Sequence, residues 1–70
     1  MPLILAELNE DLIVKEIELK QNVRKHLENL GLTIGTSIKI LAKFAGNVIV
    51  QIKDARVAIS KDVAEKIIVE

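Results

Sequence analysis

The chain has 70 residues with one histidine and no cysteine, so any reactive centre must be built from His26, the serines and the carboxylates. A first-row divalent metal needs several nitrogen or carboxylate donors converging at about 2.0–2.2 Å. His26 has only Glu28 at i+2 and Asn22 at i−4 near it in sequence. That is a loose pair at most, so weak divalent metal binding stays open, its ligands unknown, and a half-exposed packing role beside an apolar stripe is the simpler reading of His26. Glu7, Glu10, Asp11, Glu16 and Glu18 form an acidic segment that can attract cations. Along a strand and its lead-in, however, they scatter over two faces, as a solvated acidic edge does. Ser37 and Ser60 have no base apart from His26, and a hydroxyl without an oriented base is inert. Gly31, Gly35 and Gly46 lie too far apart for a phosphate loop, and neither GxGxxG nor GKS/T occurs. No catalytic residue and no cofactor is therefore expected, and the chain reads as a non-enzyme.

Ten basic and ten acidic residues cancel to a formal net charge of zero. Arg24, Lys25, Lys39, Lys43 and Lys53 could gather into a basic patch, which makes a nucleic-acid-binding barrel the rival reading from another class. Two features argue against it. Zero net charge limits counterion release, and Phe44 is the only aromatic, so stacking worth roughly 1–3 kcal/mol per base is missing. The same shortage removes the aromatic groove that proline-rich ligands need.

The elements that would position these groups fit one domain over residues 1–70, since a second core could not offset its own ordering entropy. Half of the residues are apolar, and nearly all of those are aliphatic. The apolar run Pro2 to Leu8 lacks a basic lead and contains Glu7, so it reads as a first strand or turn packed on the core rather than a signal peptide. No stretch approaches the roughly 20 apolar residues of a membrane span. A cytoplasmic location is expected, with any membrane contact made through a partner.

Leu12 to Leu19 is rich in β-branched residues but alternates imperfectly, predicting a strand with a bulge midway. Val23, Leu27 and Leu30 recur at i, i+4 and i+7, predicting an amphipathic helix with Asn22 as N-cap, ending at Leu30. Gly31 then suits the left-handed C′ position, and Leu32 can fold back on Leu27. Gly35 supplies the positive φ of a type II turn. From Thr36 to Phe44, Ile38, Ile40, Ala42 and Phe44 share the face expected to be buried, while Ser37, Lys39 and Lys43 share the other. Ala45 to Asn47 makes a hairpin connection, and Val48, Val50 and Ile52 face inward on the return strand. A tight turn at Asp54 and Ala55 leads to Val57 and Ile59, Ser60 caps a helical turn over Lys61 to Lys66, and Ile67 to Val69 is a last strand. Short twisted strands in so small a chain should curl up: the expected fold is mainly β with one short α-helix, a small SH3-like β-barrel capped by that helix.

The stretch VRKHLENLGLTIGTSIKIL, Val23 to Leu41, closely resembles the FeoA family in its helix, its Leu-Gly-Leu closure, its turn and the strand that follows. Gly46, RVAIS and EKIIVE extend that resemblance over nearly the whole chain. Ile34 stands where the family usually has proline, and Asp54 where a turn glycine is usual.

The resemblance implies a small, cytoplasmic, non-enzymatic accessory protein of bacterial ferrous iron transport. Its partner would be the cytoplasmic GTP-binding region of the iron transporter. Arg24, Lys25 and Glu28, read from the sequence as the solvent face of the helix, are the candidate contacts, and a solvated face with no partner is the simpler reading of them. Similar modules form the C-terminal domain of DtxR-type metal-dependent repressors, so a stand-alone regulatory module binding metal or protein is the alternative. A homo-oligomer is also allowed, because so aliphatic a barrel can leave an apolar patch or an unpaired edge exposed.

Overall fold

The computed structural model describes residues 1–53 and 55–70, and in it every element expected from the pattern forms, in the expected order. A 3-10 turn at Leu3–Leu5 is followed by β1 (Asp11–Ile17), α1 (Gln21–Asn29), β2 (Ser37–Phe44), β3 (Asn47–Ile52), β4 (Ala55–Ile59), α2 (Lys61–Ala64) and β5 (Ile67–Val69). The strands make one antiparallel sheet in the order β4-β3-β2-β1-β5. This is the SH3-like arrangement, open between β4 and β5, which no ladder joins among the described residues. The turn expected at Asp54 lies outside the described residues, and Ala55 is already the first residue of β4.

The sheet encloses an all-aliphatic core. Leu3, Val14, Leu32, Ile40, Val48, Val50, Ile67 and Val69 are its largest fully enclosed side chains. Burying each such side chain stabilises by about 1.5–3 kcal/mol. The Pro2 to Leu8 run does pack on this core: Leu3 and Ala6 are buried, and Pro2 bridges to Ile68 at the edge of β5.

Two bulges decide which side chains face in. The β1–β5 register shifts between Val14 and Glu16, so Val14 and Ile17 are both buried although three positions apart. That is the register reset predicted from the broken alternation of β1. The second bulge interrupts β2 against β3: Ile40 pairs with Val50, but Ala42 pairs with Ile49, leaving Leu41 as the extra residue. It overturns the expectation for the end of β2. Beyond it the faces exchange, so Lys43 stands opposite the buried Val48 and Phe44 turns outward, 76% exposed. Ala42 is only half-buried. Lys43 is accommodated on the inner side because it lies at the rim, where its Nζ donates to the carbonyl of Ile4 at 3.0 Å.

The α1 boundary also differs from expectation. The N-cap is Lys20, in extended conformation and without a side-chain cap, and Asn22 lies inside the first turn. Tertiary pairing sets this start: β1 stays in the sheet as far as Glu18, whose amide donates to the Lys66 carbonyl at 2.8 Å, leaving two residues before the helix. The C-terminus forms as predicted. Gly31 has φ +99°, its amide donates to the Glu28 carbonyl, and the Leu32 amide donates to the Leu27 carbonyl, both at 2.9 Å. This pair of bonds is the Schellman closure, which satisfies carbonyls the helix end would otherwise orphan. The Thr33–Thr36 turn follows, with Gly35 at φ +92° and the Thr36 amide donating to the Thr33 carbonyl at 3.1 Å. Ile34 is exposed there, so the turn closes without proline. Ser60 occupies the N-cap of α2, although its hydroxyl makes no capping hydrogen bond.

Candidate functional site

Gln21, Arg24, Lys25 and Glu28 fall at i, i+3, i+4 and i+7 of α1 and so share one face of the helix. With Leu19, the half-buried residue at the end of the β1 exit, they line a concavity of about 520 Å³. The three side chains singled out from the sequence are thus gathered on one surface. Leu19 and Gln21 were missed, because a helix begun at Asn22 leaves Gln21 outside the helical face.

The charges on this face are not used internally. The described residues contain two ion pairs, Lys15 to Glu70 at 3.3 Å and Lys39 to Asp11 at 3.5 Å, and neither involves α1. Arg24 and Glu28 have i,i+4 spacing but the less favourable order, cation before anion, and remain unpaired among the described residues. Chemically the concavity offers two cations and one carboxylate around a small apolar floor, a surface suited to charged recognition.

The opposite flank of α1 is different. Val23, His26, Leu27 and Leu30 face Val57, Ala58, Ile59, Ser60 and Val63 across a groove of about 250 Å³. His26 is exposed at this groove rather than half-buried. Ser60 lies on the facing wall, yet no hydrogen bond joins the two among the described residues and no carboxylate lines the groove to orient an imidazole. Glu7, Glu10, Asp11, Glu16 and Glu18 are all exposed, and no group of three His, Asp or Glu side chains among the described residues is placed to hold a metal. Ser37 is exposed at the start of β2.

The basic residues do not assemble into one patch. Arg24 and Lys25 line the first concavity, whereas Lys53 lies beside Leu30 and Gly31 at the other end of α1. Lys39 is paired with Asp11, and Lys43 is drawn to the 3-10 turn. Among the described residues no helix is long and apolar enough to cross a membrane.

The FeoA domain family matches residues 1–70. A protein of Methanocaldococcus jannaschii, provisionally named Fe(2+) transport protein A, is 35% identical over 69 residues, spanning 99% of this chain and 84% of its own. The crystal structure of an iron uptake regulatory protein (FeoA) superposes with a TM-score of 0.86 at 32% identity, covering 99% of this chain and 92% of the other. A manganese-dependent transcriptional repressor shares the fold, with a TM-score of 0.85 at 21% identity over 96% of this chain, which corresponds to 39% of the repressor.

Proposed function

The chain belongs to the FeoA domain family, and from that premise we propose that it is a non-enzymatic accessory of ferrous iron transport. In this reading residues 1–70 act as one unit in the cytoplasm and dock on the cytoplasmic GTP-binding region of the iron transporter. The relatives named for Fe(2+) transport and iron uptake support the process. One structural observation carries the choice of surface: Arg24, Lys25 and Glu28 stand together over one concavity with no ion-pair partner among the described residues. Charges left in water cost nothing to the folded chain and are available to steer and orient a partner of complementary charge.

Titration of the isotope-labelled protein with the purified GTP-binding domain tests this reading. Localised amide shifts at Leu19, Gln21, Arg24, Lys25 and Glu28 are expected, together with at least a tenfold loss of affinity in the Arg24→Glu, Lys25→Glu double variant. Unchanged binding by that variant would exclude this face.

The repressor likeness favours one second reading, a regulatory module that pairs with a DNA-binding protein. A parallel titration with a divalent metal separates the two. Saturable shifts around His26 or the Glu7 to Glu18 segment, with none from the GTP-binding domain, would select the regulatory module.

A further inference from the structure

α1 stands off the sheet for most of its length. Leu27 is its only buried residue, Val23 is half-buried and Leu30 is 39% exposed. The apolar groove left beside it has β4 as its other wall, through Val57, Ala58 and Ile59. β4 is also an edge strand. It pairs with β3 alone, and no backbone hydrogen bond among the described residues reaches its other side. An unpaired row of amides and carbonyls therefore runs alongside an apolar trough.

One kind of ligand satisfies both features together. An extended peptide can add its main chain to an open edge while every second side chain enters the trough, because side chains of a strand alternate with period two. We propose that this groove binds a short extended segment of another protein, added as a strand beside β4, with one or two aliphatic side chains in the trough and a carboxylate opposite Arg56.

The dimensions and charge favour a linear segment over a folded partner or a second copy of this chain. The groove, at about 250 Å³, exceeds the roughly 150 Å³ of a cavity that admits benzene. Five residues of β4 span about 17 Å at roughly 3.4 Å each. A strand added over that length buries far less than the roughly 800 Å² per partner typical of stable complexes. The occupant is a reversible, transient ligand. Arg56 is the one charged residue within β4, and it is exposed, so a single carboxylate in the segment meets a cross-strand partner. This surface is separate from the Arg24, Lys25 and Glu28 concavity, and the proposal does not depend on how that face is used.

The probe is an acetylated, amidated heptapeptide, Thr-Val-Glu-Val-Thr-Val-Thr, titrated into the isotope-labelled full chain. Saturable shifts are expected at the amides of Arg56 to Ile59 and at the methyls of Val23, Leu30, Val57 and Val63. Two control peptides carry N-methyl groups on the odd or on the even amides, and at least one of them should bind tenfold or more weakly. The Arg56→Glu variant, altered at an exposed position, should lose at least threefold while its spectrum away from β4 stays the same. Three results overturn the proposal: no saturable shifts, both N-methylated controls binding as tightly as the unmethylated peptide, or shifts confined to Arg24, Lys25 and Glu28. Concentration-dependent shifts at β4 without peptide would likewise overturn it, assigning the edge to a second copy.

Discussion

The amide of Leu32 reaches back to the carbonyl of Leu27 at 2.9 Å, and Gly31 between them, at φ +99°, is what allows the chain to make that reversal. The bond fixes the end of the helix that carries the charged concavity. A Cβ at Gly31 would sit 3.4 Å from Ile52 Cγ2, tight but not blocked, so conformation rather than space sets the penalty. Gly31→Ala should destabilise by about 1–2 kcal/mol, the cost of placing an L-residue in the left-handed region. A lowered urea midpoint at constant m-value is the readout.

The β2–β3 connection invites the opposite result. Phe44 pairs with Asn47 across Ala45 and Gly46, whose φ values are +52° and +83°, the signs required by a type I′ turn. Ala45 therefore holds a left-handed conformation that asparagine tolerates better. Ala45→Asn should raise stability by about 0.5–1 kcal/mol, measured by the same denaturation curves.

Leu3 and Phe44 separate pattern from placement. Leu3, in an irregular N-terminal turn, is fully enclosed, whereas Phe44, on the expected core face of a strand, is 76% exposed. Leu3→Ala should cost about 2–5 kcal/mol. Phe44→Thr, which keeps strand preference, should change stability by no more than about 0.5 kcal/mol. Equal losses from the two substitutions would contradict the β2 bulge.

Salt and charge should distinguish the roles on the α1 face. If Arg24 and Lys25 meet an acidic surface, the affinity for the GTP-binding domain falls as ionic strength rises, and the fall is shallower in the Arg24→Glu, Lys25→Glu variant. Glu28→Lys should leave affinity equal or higher. Isothermal titration at two salt concentrations measures all three effects.

Much of this architecture was legible in the residues, and the exceptions have local causes. The β1 bulge announces itself because Val14 and Ile17 break a period of two. The β2 bulge is fainter: Ile38, Ile40, Ala42 and Phe44 fit one apolar face, and the one break is Leu41, an apolar residue among Ser37, Lys39 and Lys43, which a half-covered outer face would also explain. Only pairing with β3 decides it. The helix closure was readable because glycine at C′ answers a backbone need. The helix start was not, since the β1–β5 ladder determines where the chain leaves the sheet, and Asn22 is overruled. That one boundary hid Gln21 from the candidate face, Leu19 was read only as the end of a strand, and the i, i+1, i+4 spacing of Arg24, Lys25 and Glu28 sufficed to put those three on one surface.

The pairing of β1 with β5 has a kinetic consequence. Ile17 meets Ile67 only after the helix and the whole β2–β3–β4 meander have been traversed, whereas the meander's own ladders join strands that are neighbours in sequence. Closing so long a loop is entropically deferred, so the meander should be structured at the folding barrier and the β1–β5 ladder should zip up after it. Ile67→Val should then accelerate unfolding and leave the refolding rate almost unchanged, while Val50→Ala slows refolding. The two halves of one continuous sheet would thus govern different arms of the chevron, the meander how fast the chain finds its fold and β5 how long it stays there.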